Sequence, residues 1–123
     1  MPAFETLRIW QEAHELMKEI HSISKNLPLE EKYRLRDQIE RSSSSVVDNI
    51  AEGYSSYYYK EKIKGMLIAR KELGETQNHL FSLKAKQYIP NSQFIQLINK
   101  YEKLLKGING YVNYIRNKAG YRR

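Results

Sequence analysis

Apolar residues recur at helical spacing in four segments of the chain. In the first segment they are separated by steps of 4, 3, 4, 3 and 4, and the last segment alternates steps of 4 and 3 in the same way. This alternation places the residues along one face of a helix, where they form a heptad seam. The first seam comprises Ile9, Ala13, Leu16, Ile20, Ile23 and Leu27, widened by Trp10 and Met17. The last seam comprises Phe94, Ile98, Tyr101, Leu105, Ile108, Val112 and Ile115.

The two middle segments carry weaker patterns. The second segment has a core face of Leu35, Ile39, Ser42, Val46 and Ile50. The third segment has a less regular apolar set of Tyr59, Ile63, Met66, Leu67, Leu73, Leu80, Phe81 and Leu83. Neither segment alternates apolar and polar residues as a strand does. Four helices and no strands are therefore predicted.

Proline, glycine and serine residues suggest where these helices begin and end. Pro28 disfavours the helical conformation of the residue before it, and Glu30 and Glu31 suit the first turn of a second helix. The expected end of the second helix and the expected caps of the third and fourth are Gly53, Ser55 or Ser56, and Ser92. The predicted helices span about residues 6–26, 29–53, 56–88 and 92–118, with a basic tail at 119–123.

Short connections between long helices make consecutive helices antiparallel neighbours. The chain of 123 residues has the length of one domain. We therefore expect residues 1–123 to form a single all-α domain, an up-down-up-down antiparallel four-helix bundle. Small residues inside the predicted helices, namely Ser42, Ser43, Gly65 and Gly74, are expected where helix axes approach closely.

A polar stripe flanks the apolar face of the second predicted helix. It consists of Gln38, Arg41, Ser45, Asn49 and Glu52, at steps of 3, 4, 4 and 3. Polar groups beside a packed seam need hydrogen-bond partners, so we interpret Gln38, Arg41, Asn49 and Glu52, together with Glu75, as a polar network or a subunit interface. A solvated face and a catalytic row are the alternatives. No nucleophile and base pair is visible that would complete a catalytic mechanism.

Several short runs resemble a known family. They are Tyr33-Arg34-Leu35, Gln38-Ile39-Glu40-Arg41, Asn49-Ile50-Ala51-Glu52-Gly53, Ile68-Ala69 and Leu73-x-Glu75, with Phe4, Leu7, Trp10 and Ala13 before them. Together they resemble the four-helix-bundle proteins encoded by intervening sequences in bacterial 23S ribosomal RNA genes (S23-type), over about residues 4–89. This resemblance implies a homo-oligomer, typically a pentamer, with a suspected role in binding nucleic acid. Accessory bundle proteins of retroelements are similar in shape and charge.

The charge balance favours an acidic partner. The formal net charge is +7, and neutralisation of phosphate by Lys and Arg supplies most non-specific affinity for nucleic acid. The chain has no cysteine, no apolar run long enough to cross a membrane and no signal-peptide pattern. We expect a soluble cytoplasmic protein without a membrane partner.

The bundle topology gathers the tyrosines at one end, which holds the N-terminus, the connection between the second and third helices, and the C-terminus. Residues 54–64 and 111–123 contain seven of the ten tyrosines and seven basic residues against one glutamate, a net +6. Basic groups follow phosphate, while tyrosine rings stack on unpaired bases. The candidate nucleic-acid-binding residues are Tyr57, Tyr58, Tyr59, Lys60, Lys62, Lys64, Arg116, Lys118, Arg122 and Arg123. Alternatively, Tyr57 to Tyr59 pack in a subunit interface and the tail is solvated.

Signatures of enzymes and metal sites are missing from the sequence. A di-iron bundle needs Glu-x-x-His, but Gln11, Lys18 and Thr76 stand three residues before the three histidines. No P-loop, dinucleotide fingerprint, nucleophile elbow or zinc-protease motif occurs. We therefore expect no catalytic residues, no metal, no cofactor and no small-molecule substrate. The function expected is a non-enzymatic oligomeric bundle that binds RNA or DNA; a structural or protein-interaction adaptor is the alternative, with a bundle enzyme a distant third.

Overall fold

Four α-helices carry the fold in the computed structural model, which describes residues 3–120. The helices are α1 (Arg8–Ser24), α2 (Leu35–Ser55), α3 (Tyr59–Ala85) and α4 (Asn91–Lys118). Short 3-10 turns at Ala3–Thr6 and Leu29–Glu31 precede α1 and α2. The described part of the chain contains no strand. The predicted all-α fold is therefore confirmed.

Side-chain contacts establish that consecutive helices are antiparallel. Between α1 and α2, His21 Nε2 lies 3.1 Å from Ser44 Oγ, and Ser24 donates to the Glu40 carboxylate. Later residues of α1 therefore contact earlier residues of α2, as in an antiparallel pair. The same reversal relates α3 to α4, where Arg70 donates to Asn109 (3.0 Å) and Gln77 to Glu102 (2.8 Å). Glu12 and Glu19 of α1 pair with Lys103 and Lys100 of α4, which closes the four helices into an up-down-up-down bundle.

The buried face of α4 differs from the predicted strict heptad seam. Leu97 and Leu104 are fully buried, whereas Ile98 and Leu105 are only partly buried and pack at the edge of the core. The reason is that α4 contacts both α1 and α3, so its apolar stripe is wider than a coiled-coil seam. A straight helix of 3.6 residues per turn also drifts from a 3.5-residue repeat.

Helix α2 begins six residues later than the sequence predicts. Residues Leu29–Glu31 form a 3-10 turn, Arg34 leaves the helical conformation (φ −121°, ψ −106°), and α2 starts at Leu35. The Glu31 side chain does not stabilise a helix N-terminus. It is buried and accepts hydrogen bonds from Lys86 Nζ (2.7 Å) and the Tyr88 hydroxyl (2.9 Å). We call these three residues the Glu31 clamp; it ties the α1–α2 connection to the α3–α4 connection.

The predicted caps of α3 and α4 are also wrong. Helix α2 continues through Gly53 to Ser55, and Ser56 donates to the Glu52 carbonyl (2.8 Å) at the end of α2 rather than capping α3. Tyr58 and Pro90 occupy the N-cap positions of α3 and α4, and neither makes a side-chain cap bond. Proline has no side-chain hydrogen-bond acceptor, so the first amides of α4 receive no side-chain cap from Pro90.

Gln87 ends α3 by adopting a left-handed conformation (φ 63°). The Tyr88 amide donates to the Leu83 carbonyl and the Gln87 amide to the Lys84 carbonyl, both at 2.9 Å. This is the hydrogen-bond pattern of a Schellman motif, in which glycine is the commonest residue at the left-handed position. The turn places Tyr88 in the Glu31 clamp.

Small residues bring α2 and α3 close together, as predicted for two of the positions. Gly65 meets the backbone of Gly53, and the buried Ser42 accepts a 2.8 Å hydrogen bond from the buried Thr76. Gly74 is different, because a Cβ atom there would meet nothing within 4 Å. Close approach therefore explains Gly65 and Ser42 but not Gly74. Gly53 is likewise a packing glycine and not a helix stop.

Candidate nucleic-acid interface and polar cleft

Six tyrosines lie together where α2 and α4 end and α3 begins. The ring centroids of Tyr54 and Tyr111 are 6.0 Å apart, and those of Tyr111 and Tyr114 are 6.4 Å apart. Tyr54 belongs to the last turn of α2, so these contacts bring the C-terminal ends of α2 and α4 together. We call this region the tyrosine end; it comprises Tyr54, Tyr57, Tyr58, Tyr59, Tyr111 and Tyr114.

The six rings divide into an inner and an outer group. Tyr54 and Tyr111 are half-buried, and burial, with the neighbouring Tyr54 and Tyr114, raises the pKa of Tyr111 to about 12. The outer side chains are exposed: Tyr57 87%, Tyr58 68%, Tyr114 56% and Tyr59 40%. The rings of Tyr57 and Tyr58 stand at 90° with centroids 5.0 Å apart. The inner rings of Tyr54 and Tyr111 thus pack partly inside the bundle, and the four outer rings face solvent.

The three α3 lysines at the tyrosine end have different environments, although the sequence predicts the same binding role for Lys60, Lys62 and Lys64. Lys62 is half-buried; its ammonium group donates to the Tyr54 carbonyl (2.7 Å) and lies 5.4 Å from the Tyr54 ring centroid. This contact ties α3 to the last turn of α2. Lys60 and Lys64 are exposed on the first turns of α3. A structural role therefore accounts for Lys62, while Lys60 and Lys64 point to solvent beside the outer tyrosines.

The basic residues of α4 complete this end. Lys118 Nζ lies 3.4 Å from the Tyr114 hydroxyl and 5.4 Å from its ring centroid. The hydrogen bond to Tyr114 and the negative charge that Tyr114 and Tyr59 would carry if ionised raise the pKa of Lys118. Arg116 is half-buried. The predicted binding residues Arg122 and Arg123 lie outside the described residues.

The polar stripe of α2 makes local hydrogen bonds. Asn49 Nδ2 donates to the Ser45 carbonyl (2.9 Å) and to Ser45 Oγ (3.0 Å), one turn earlier on the same helix. Arg41 Nη2 donates to Asp37 Oδ2 (2.8 Å), again within α2. Glu52 is exposed. These bonds run along one helix, and the interface role of the stripe remains a prediction.

Part of the stripe opens into a cleft between α2 and α3. The cleft has a volume of about 220 Å³ and is lined by Gln38, Arg41, Ser42, Glu72, Glu75 and His79. We call it the polar cleft. It brings together Gln38, Arg41 and Glu75 of the predicted network, but not Asn49 or Glu52. Glu72 and His79 were not predicted, because their only signal in the sequence is helical spacing from Glu75 and the α2 residues of the cleft lie about thirty to forty residues earlier.

The surroundings of the polar cleft perturb two of its titratable groups. Burial raises the pKa of Glu72, and the hydrogen bond with Glu75 and its negative charge add to the effect. The positive charges of Lys71 and Arg41 oppose this increase. Burial lowers the pKa of His79 and outweighs the opposing charge of Glu75. The cleft therefore disfavours the ionised form of Glu72 and the protonated form of His79.

A second depression runs between α1 and α4. It has a volume of about 620 Å³, and charged side chains line it on both sides. Lys103 and Lys100 bridge it to Glu12 (3.6 Å) and Glu19 (3.5 Å). These are exposed or half-exposed ion pairs of the kind that contribute little to stability.

The described helices carry no metal cluster and no membrane span. Within residues 3–120, no three His, Asp or Glu side chains are placed to hold one metal ion. None of the helices in that range is long and apolar enough to cross a membrane.

Comparison with known proteins identifies the family. A crystal structure of a protein of unknown function from the S23 ribosomal protein family of Bacteroides thetaiotaomicron superposes with a TM-score of 0.79 at 26% identity, covering 85% of this chain and 95% of that chain. No curated protein matches the sequence. The profile of the 23S rRNA-intervening sequence protein family matches residues 5–110. The chain therefore belongs to the 23S rRNA-intervening sequence protein family.

Proposed function

We propose that this protein is a non-enzymatic, homo-oligomeric bundle that binds RNA or DNA through its tyrosine end. The observation that carries the proposal is the exposure of four tyrosine side chains beside solvent-facing lysines at one end of a rigid bundle. A cluster of exposed aromatic rings, unlike a single exposed ring, is typical of a surface that binds a partner. A basic chain with a net charge of +7 favours a phosphate-bearing partner.

The ring geometry favours unpaired bases over a duplex. Tyr57 and Tyr58 stand edge to face, so the two rings present different planes and accept bases that are splayed apart. Bases in a duplex stack on one another and do not offer their faces to side chains. Lys60 and Lys64 are exposed on the first turns of α3, and Lys118 contacts Tyr114; these three residues supply the charges that follow the phosphates. The ligand class we infer is single-stranded nucleic acid or an RNA loop.

The names of the matched proteins refer to ribosomal RNA genes and to the ribosome, which motivates RNA as the first ligand to test. The family is named for intervening sequences of 23S rRNA, and the matched crystal structure is assigned to the S23 ribosomal protein family. Neither name specifies a binding residue, so the tyrosine end carries the proposal in this chain. We place the protein in the cytoplasm, where ribosomal RNA is made in bacteria.

Assembly into an oligomer would raise the overall affinity for nucleic acid when a single tyrosine end binds weakly. The resemblance implies a pentamer, and the outer face of α2 and α3, with Gln38, Arg41, Asn49, Glu52 and Glu75, is the surface we propose for contacts between copies. Each copy in such an assembly adds one tyrosine end. Binding of one strand at several ends raises the overall affinity without any new contact.

Fluorescence anisotropy with a labelled single-stranded RNA tests the proposal. We expect measurable binding at low salt, a steep loss of affinity as salt rises, and a loss of at least tenfold in Tyr57→Ala/Tyr58→Ala, because base stacking on tyrosine contributes about 1–3 kcal/mol per base. The matched control is Tyr33→Ala at the opposite end, where the side chain is 83% exposed and lies beside Lys32.

Three outcomes would overturn the proposal. They are absence of binding at low salt, equal losses in the tyrosine-end and Tyr33 variants, and an affinity that does not depend on salt. The first outcome, combined with a retained oligomer in light scattering, would favour a protein-interaction adaptor. Exposed apolar side chains at the opposite end, Phe81 and Ile95, are the observation that supports this second function.

A further inference from the structure

The outward face of α4 carries no acidic residue over its C-terminal half. At steps of 3, 4, 3 and 4, five exposed residues lie on one side of the helix, opposite the buried positions Leu104, Ile108 and Val112. Two of the five are lysines, two are asparagines and one is glycine. We call this set the α4 strip; it comprises Lys103, Lys106, Gly110, Asn113 and Asn117.

Helix α4 also differs from its neighbours α1 and α2 in charge. It contains five basic residues against one glutamate, a net +4, whereas α1 has two basic and three acidic residues and α2 has two basic and four acidic ones. The single acidic residue of α4, Glu102, faces α3, where it accepts a hydrogen bond from Gln77 at 2.8 Å. The exposed charge on the outward face of α4 is therefore positive, which favours a phosphate-bearing partner.

The α4 strip is continuous with the tyrosine end. Asn113 and Asn117 flank Tyr114 on the last turns of α4, and Lys118 Nζ lies 3.4 Å from the Tyr114 hydroxyl. From Lys103 to Asn117 the helix extends about 21 Å at 1.5 Å per residue. A strand that stacks on the outer tyrosines can therefore continue along α4 over a surface without carboxylates.

We propose that the α4 strip binds the sugar-phosphate backbone of the strand whose bases stack at the tyrosine end. This inference rests on the proposed function and extends its site from one end of the bundle along a helix face. Lys103 and Lys106 neutralise phosphates, and the side-chain amides of Asn113 and Asn117 donate hydrogen bonds to phosphate oxygens. Contacts of this kind carry no base preference, so the affinity they add depends on the length of the strand and not on its sequence.

The two lysines of the α4 strip are accessible to a phosphate. Lys103 Nζ lies 3.6 Å from a Glu12 carboxylate oxygen on α1, but 73% of the Lys103 side chain is exposed. An exposed ion pair of this kind contributes little, so the ammonium group can exchange Glu12 for a phosphate. Lys106 is exposed one turn further along. Glu12 marks the edge of the α4 strip on the α1 side, where its negative charge repels the strand.

Gly110 has no packing role inside the bundle. A Cβ atom there would meet nothing within 4 Å, although glycine lowers helix stability relative to alanine. Gly107 contrasts with it, because a Cβ atom at Gly107 would lie 2.7 Å from Ile9 Cγ2. The absence of a side chain at an exposed position lets a ligand approach the helix backbone closely. Gly110 is therefore the position where we place the closest approach of the strand to α4.

Strand length separates the α4 strip from the tyrosine end. Fluorescence anisotropy is measured with oligouridine strands of about 4 and about 12 nucleotides, which are typical site sizes of single-strand-binding folds. We expect Lys103→Gln/Lys106→Gln to weaken binding of the long strand on the order of tenfold at 0.1 M salt and to reduce its salt slope by about 1.4 units, since each phosphate contact contributes about 0.7. Binding of the short strand should stay unchanged, whereas Tyr57→Ala/Tyr58→Ala should weaken both strands.

The matched control removes two exposed lysines at the opposite end of the bundle. Lys25→Gln/Lys32→Gln makes the same change in net charge and should keep the wild-type salt slope for both strands. A further variant, Gly110→Gln, adds bulk without charge; it should weaken the long strand alone and should not lower the thermal midpoint.

The outcomes distinguish this inference from the proposed function. Binding of neither strand would overturn both. Binding of the short strand, with a long-strand affinity that is unchanged in Lys103→Gln/Lys106→Gln, would overturn the α4 strip alone. Equal losses in the α4-strip variant and in the Lys25 and Lys32 control would also overturn it, because they would reflect net charge and not a binding surface.

Discussion

Gly53 and Gly65 bring the backbones of α2 and α3 into direct contact. A Cβ atom at Gly65 would lie 2.6 Å from Gly53 Cα and 2.9 Å from the Asn49 carbonyl oxygen. No side chain other than hydrogen fits that space. The crossing also positions the tyrosine end, because Tyr54 follows Gly53 directly and Lys62, which bonds to the Tyr54 carbonyl, stands three residues before Gly65.

Substitution of Gly65 by alanine should destabilise the bundle. The added methyl group meets backbone atoms that cannot rotate away, and overpacking of this kind costs about 1–3 kcal/mol. Gly74→Ala is the control, because its Cβ meets nothing within 4 Å. An exposed helical glycine replaced by alanine gains about 1 kcal/mol from propensity alone. Urea unfolding of both variants should give opposite signs, and equal signs would contradict the packing explanation.

Substitutions of different lysines at the tyrosine end should affect either the stability of the bundle or its affinity for RNA. Lys62→Ala removes the bond to the Tyr54 carbonyl and should lower the thermal midpoint, whereas Lys64→Ala, at an exposed site, should leave it unchanged. For affinity to single-stranded RNA, we expect the combined Lys60→Ala/Lys64→Ala variant to show a flatter salt dependence, because each lost phosphate contact reduces the slope by about 0.7 units on a single strand. An unchanged slope would remove the first turns of α3 from the proposed interface.

The Glu31 clamp should weaken in acid. The hydrogen bond from Lys86, followed by that from Tyr88, lowers the pKa of Glu31 below its usual 4.5. A group with a lowered folded pKa contributes stability above its unfolded pKa and loses it as the pH falls through the folded value. The difference in unfolding free energy between wild type and Glu31→Gln should therefore shrink as the pH falls below about 4.5. Glu30→Gln, at an exposed neighbouring site, is the control. A difference that stays constant from pH 3 to pH 7 would argue against the clamp.

Tyr101→Phe should not destabilise the protein. The side chain is fully buried in the core, and its hydroxyl has no hydrogen-bond partner among residues 3–120. A buried hydroxyl without a partner costs about 1–3 kcal/mol, so its removal should leave stability unchanged or raise it. Tyr88→Phe provides the contrast, since it removes a 2.9 Å bond to Glu31 and should lower stability. A clear loss in Tyr101→Phe, measured by urea unfolding, would mean that the hydroxyl finds a partner in solution.

The sequence predicted the helices because apolar spacing is a local property. The first four predicted core positions of α1, from Ile9 to Ile20, are all buried. The start of α2 was wrong for a nonlocal reason: Glu31 looks like a helix N-terminal residue, but its partners Lys86 and Tyr88 lie 55 and 57 residues away. No pattern within α2 reveals that pairing.

The same limit applies to the two candidate sites. Bundle topology alone predicted that the tyrosines gather at one end. Which lysine is structural could not be predicted, because Lys62 is distinguished from Lys60 and Lys64 only by its reach to a backbone carbonyl of another helix. The polar cleft could not be predicted from one helix, since Arg41 and Glu72 line one cleft only after α2 and α3 pack at Ser42 and Thr76.

The distance between the two ends of the bundle is long enough for energy transfer to locate a bound strand. Helix α3 has 27 residues and spans about 40 Å at 1.5 Å per residue. The chain has no native cysteine, so Tyr33→Cys at the far end accepts a single fluorescent dye without any other thiol to block. Energy transfer from that dye to a labelled strand would then report which end of the bundle the strand occupies.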